Sequence, residues 1–285
     1  MSQGENLQAV VEEALSERRN PLTVNLAGDA DGQKEAMRAL LDRQPGLVIT
    51  MQYARMLGML HQLGLLNVDS LLLNKLRPNA IKESFSRKQL DLSVSPIFRC
   101  PTFLLVPPAR FTEFVSAIDQ NKLQGQNPTY LDDTMRNEPE GEMQQGWVPV
   151  ILEGAQGAHV GSELSASPPS GENLGEFVER IRTARRETSE HLQGIDRRTY
   201  AMLMLTSMMR AKNPSELIDT KTSTILDAEP VLNLQKEVHK GIPIGKYWRE
   251  GDQVRFSMYD TFGVGEDFPE GGHWMRHAVV GQAIQ

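Results

Sequence analysis

The chain holds a single cysteine, Cys100, in 285 residues, so no disulfide can form within it. Stability therefore has to come from packing, and a small buried hydrophobe is the expected role of that thiol. No apolar run suits a bilayer. The longest, Leu47 to Leu66, is interrupted by Gln52, Arg55, His61 and Gln62, and a charge at bilayer depth costs several kcal/mol. The N-terminus has no positive stretch followed by an apolar one, so no signal peptide is expected and the protein reads as soluble and cytoplasmic. A net charge of −7 argues against nucleic-acid binding, which draws its affinity from Lys and Arg on phosphates.

The familiar catalytic motifs are missing too. There is no Gly-x-Ser-x-Gly elbow and no Walker A loop. Gly263-Val-Gly265 begins like a dinucleotide loop, but Phe268 stands where the third glycine is needed. Gly154-Ala-Gln-Gly157 follows a strand pattern without a lysine-bearing helix behind it, and reads as a turn. The acids of Gly28–Gly32 fall outside the calcium-loop register. No cofactor is expected.

What is present has the pattern of an α+β protein. Helices are predicted over 5–19, 33–43, 47–66, 69–76 and 110–120, and strands over 22–27, 102–106 and 147–152. Pro149 cannot donate a ladder hydrogen bond, which favours an edge position for its strand. Residues 79–101 read as polar and irregular. These elements describe helices around a small mixed sheet, forming a domain over 1–157. A Ser-, Pro- and Gly-rich linker or loop is expected over 158–172.

The second domain, 173–285, reads as a helical hairpin carrying a small Gly- and aromatic-rich antiparallel β unit. An amphipathic helix over 174–192 is stopped by Gly194. The next starts at the N-cap Asp196 and runs to Lys212, stopped by Asn213-Pro214. From Tyr200 to Leu205 it has no strongly polar side chain, so it should be buried on all sides. Beyond it come a strand over 222–226, a short helix over 231–239, a hairpin over 247–259 turned at 250–252, and a third strand over 273–280.

Three sets of residues are worth weighing for function. Arg197 and Arg198 follow Asp196 at a helix N-terminus, where free N–H groups and two guanidinium groups suit a phosphate or carboxylate. Pairing with Glu187 and Glu190 on the preceding helix is the favoured account of them. Tyr247, Trp248, Tyr259, Phe262, Phe268 and Trp274 gather aromatic types enriched at interfaces, or else fill the core of the β unit. His273 and His277 are weak metal candidates. In an extended segment residues four apart lie roughly 13 Å from each other, too far to share an ion, so no metal is expected.

Two functions follow. The first is a non-enzymatic binding or assembly protein meeting a protein or small ligand through 247–274. The alternative is an enzyme acting on an anionic small molecule near Arg197 and Arg198. Neither partner nor oligomeric state is legible.

Overall fold

The computed structural model describes residues 45–66, 70–120, 145–154, 174–210, 218–219, 223–227, 243–250, 253–260 and 273–285. The expected elements over 5–19, 22–27, 33–43 and 231–239, and the linker 158–172, lie outside these residues, as does the cap Asp69.

Helix α1 spans Leu47–Gln62, with Leu47 to Thr50 forming its first turn. Its stop is Gly64 at φ +68°, a left-handed conformation that glycine adopts without a Cβ clash. The Leu65 N–H then donates back to the Leu60 carbonyl at 2.9 Å. Three short helices follow, α2 (Ser70–Lys75), α3 (Pro78–Glu83) and α4 (Arg87–Ser93). The irregular reading of 79–101 is thus corrected. Its two overlooked signals are local: Pro78 opens α3, and Ser86 with Gln89 forms a reciprocal capping box on α4.

Strand β1 (Pro101–Val106), helix α5 (Phe111–Gln120) and strand β2 (Val148–Glu153) come next. Helices α6 (Leu174–Thr188) and α7 (Arg197–Arg210) are followed by β3 (Ser223–Ile225) and β4 (Pro243–Glu250). The chain closes with β5 (Gln253–Asp260), β6 (His273–Met275) and β7 (Ala278–Val280). The segment read as one strand over 273–280 is therefore two, interrupted at Arg276-His277.

Those two strands enter different sheets. One has the order β1-β2-β7 and the other β5-β4-β3-β6, with β6 joining β3 in parallel. The fold is α+β, with helices set about two small sheets. Strand β2 is central, which corrects the edge position expected from Pro149. The ladder to β7 covers only Val150 to Leu152. Pro149 lies just past it, where its carbonyl accepts the Gly281 N–H at 2.8 Å, so its missing donor falls in the gap between that ladder and the Trp147–Ile284 bridge.

The first sheet has its edges closed by side-chain amides. From α1, Gln52 donates to the Pro101 carbonyl and accepts the Phe103 N–H, as a neighbouring strand would. From α4, Gln89 donates to the Val280 carbonyl. The main chain of Gln193 adds a backbone bridge of two hydrogen bonds to Ala278.

Helix α7 packs against α1, α5 and β1. Every residue from Tyr200 to Leu205 is at most 2 % exposed, as its all-round apolar sequence requires. Its N-cap is Asp196, whose Oδ1 accepts the Thr199 N–H at 2.8 Å. Cys100, expected inside, is exposed. Its backbone supplies the contacts: the N–H donates to Glu153 and the carbonyl accepts from Gly154.

Candidate functional site

Helices α6 and α7 grip β4 from its two faces. On one face Ile244 joins Phe177, Val178 and Ile181 of α6, with Ile225 and Met275 beside it. Side chains alternate along a strand, so Gly245 turns to the opposite face. There the Tyr200 ring of α7 occupies the space that a Cβ would take, 1.8 Å from its ideal position. Only glycine admits that approach.

The Tyr200 face carries a buried polar layer centred on Asp219. Oδ2 accepts from the Tyr200 hydroxyl at 2.9 Å and the Thr224 hydroxyl at 2.6 Å. Oδ1 accepts from Arg276 Nη2 at 2.8 Å and from the Trp274 indole N–H at 3.2 Å. Asp219 holds a left-handed backbone, φ +56°, a conformation that costs an L residue about 1 kcal/mol and that aspartate tolerates better than most.

Arg276 uses the whole of its guanidinium. Besides Asp219, its Nε donates to Thr224 Oγ1 at 2.9 Å and its Nη1 to the Glu153 carbonyl of β2 at 2.8 Å. Its Cζ lies 4.2 Å from the centre of the Trp274 ring, a cation–π stack. Both Arg276 and Trp274 are fully buried.

A second buried pair adjoins the first. Arg185 of α6 donates through Nη1 to Asp227 at 2.5 Å and through Nη2 to the Arg276 carbonyl at 2.8 Å. Burial pushes the Asp227 carboxyl above its ordinary value, against the pull of Arg185 and Arg182. Its Oδ1 has no hydrogen-bond partner among the described residues. That atom instead stands where a Cβ on Gly194 would be, 1.3 Å from the ideal position. Gly194 is therefore not the left-handed stop expected for α6, which ends earlier, at Thr188. It is glycine because a carboxylate lies against it.

Chemically this layer fixes groups in place. Among the described residues, a carboxylate given at least four donors and a guanidinium spread over at least three acceptors are held in one geometry, beneath the surface. The rest of the sequence-derived sites fare differently. Trp274 leaves the surface set: it is core, anchored by its indole N–H. Arg197 and Arg198 are the first two residues of α7 and are partly buried. His277 is fully buried, with Nε2 2.9 Å from the Ile97 carbonyl and its ring edge-on to Phe98. His273 belongs to β6, in the other sheet. Among the described residues, no cluster of His, Cys, Asp or Glu could hold a metal ion.

Tyr247 and Trp248 lie in β4 and Tyr259 in β5, while Phe262 and Phe268 fall outside the described residues. A hollow of about 620 Å³ lies elsewhere, beside Leu72, Lys75, Pro108, Trp147 and Ile284. No helix among the described residues is long and apolar enough to cross a membrane. Sequence reasoning missed Asp219, Asp227, Arg185 and Arg276. Set against protein-family models, curated proteins and solved structures, the chain matches none.

Proposed function

We propose that the protein binds or assembles with a partner through the β4–β5 ribbon, acting as a recognition or scaffold protein rather than an enzyme. One observation carries this reading. Strands β4 and β5 pair over eight positions, Pro243↔Asp260 to Glu250↔Gln253, whereas β3 (Ser223–Ile225) pairs with Ile244 to Lys246. Among the described residues, the outer half of the ribbon thus runs past its neighbour. At the register positions beyond it stand Tyr247 opposite Phe256 and Trp248 opposite Arg255. Aromatic and arginine residues are the types that anchor protein interfaces. The base of the same ribbon is packed between α6 and α7.

A photo-crosslinking amino acid at position 248 tests this directly, with the exposed Arg87 of α4 as the control position. In cells producing the protein, adducts of defined mass are expected from position 248 and not from position 87. Equal adducts at both positions, or none at 248, overturn the reading. The rival, an enzyme using Arg197 and Arg198 on an anion, is then tested by protection from heating with inorganic phosphate. Protection that disappears in Arg197→Ala/Arg198→Ala supports it.

A further inference from the structure

The described residues form two apolar clusters, and the polar layer lies between them. Phe177, Val178, Ile181, Ile225, Ile244 and Met275 make the smaller. The larger gathers α1, β1, β2, α7 and β7 with their neighbours. A single domain ordinarily has one contiguous core. Here contiguity is broken by Asp219, Thr224, Arg276 and the Arg185–Asp227 pair, all buried.

Such a layer differs from apolar packing in one respect. Its net contribution is small, because desolvating the charges offsets most of their attraction, yet losing one partner is costly. An interface of this kind is where a molecule parts along a defined plane, provided that the latch is released as a whole. Taken in chain order, the described elements pass from one side to the other four times. They do so between β2 and α6, between α6 and α7 around Gly194, between α7 and β3, and between β6 and β7 at Arg276-His277, where Arg276 itself ties Thr224 and Asp219 to the β2 carbonyl of Glu153.

We propose that α6 and the second sheet, carrying the whole β4–β5 ribbon, open from the remainder as one cooperative unit, with Arg276 as the latch. The boundary of that unit is not the linker 158–172. It runs through the buried layer, leaving α7 and β7 with the first sheet. The proposal concerns how the ribbon is held and does not depend on what the ribbon binds.

Native-state hydrogen exchange on the full chain, at rising sub-denaturing guanidinium, tests it. Amides of α6, β3 and β6 are expected to share one opening isotherm, exchanging at least about tenfold faster than those of α1, β1 and β2. In Arg276→Met the first set should accelerate roughly a hundredfold, the order expected when one partner of a buried pair is removed, with the second set nearly unchanged. Merging of both sets into a single isotherm in the wild type overturns the proposal, whether or not the variant folds. So does parallel acceleration of both sets in Thr224→Val, which removes only the hydroxyl shared by Arg276 and Asp219.

Discussion

Gly194 and Asp227 show how much one missing methyl group can decide. With Asp227 Oδ1 only 1.3 Å from the place of a Cβ, Gly194→Ala must push the carboxylate or the chain aside. Overpacking of this kind costs about 1–3 kcal/mol, and a drop of that size in unfolding free energy is expected from urea titration. The pH dependence of Asp227 has a definite sign. Its folded pKa is raised above the ordinary 3.8 by burial, so the folded state holds the proton more tightly than the unfolded one. Its contribution is then fully present below that value and is lost as pH rises through the folded pKa. Measured from pH 4 upwards, wild-type stability should fall relative to Asp227→Asn and then level off; a relative rise would contradict the assignment. None of this could be read from the sequence. Arg276 and Asp219 are 57 residues apart, and Arg185 and the Arg276 carbonyl 91, so no local pattern marks the pairs. Composition identifies arginines, not which of them face inward.

Elements were far more legible, because periodicity and capping are local. The burial of α7 follows from six successive residues without a strong polar group, and Leu203, 2 % exposed, is its natural probe. Leu203→Ala should cost about 2–5 kcal/mol through the cavity it leaves, seen as a lowered denaturation midpoint at unchanged m-value. Gln52 was legible only as an interruption of an apolar run. Its amide in fact completes the edge of β1, and Gln52→Ala would leave the Phe103 N–H and the Pro101 carbonyl without it. A loss of about 1–3 kcal/mol is expected, with faster exchange confined to the Phe103 amide. The capping box at Ser86 was a missed signal of the same local kind. Pro149 misled for a different reason: a proline bars a ladder hydrogen bond on one side only, and the sequence does not say where the neighbouring ladder stops.

At the scale of the molecule, the α+β class came through in the alternation of patterns, but the topology did not. Nothing in Ala278-Val-Val280 announces a partner in β2, since pairing between distant strands depends on where the intervening chain leaves them. Val279 is fully buried opposite Ile151. Val279→Asp would place an uncompensated charge in the larger core, and the near-ultraviolet signal of Trp147, far away in sequence, should be lost along with the rest. Retention of that signal would show that the first sheet stands without β7.

The same pairing sets a condition on biosynthesis. As the chain emerges, β2 meets β1 early, while its other side, Val150 to Leu152, waits for Ala278 to Val280. At about 5–20 residues per second that interval lasts roughly ten seconds, with an apolar strand edge without its native partner throughout. Newly made chains are thus most prone to stick to one another in that interval, and a holding chaperone has most to offer there.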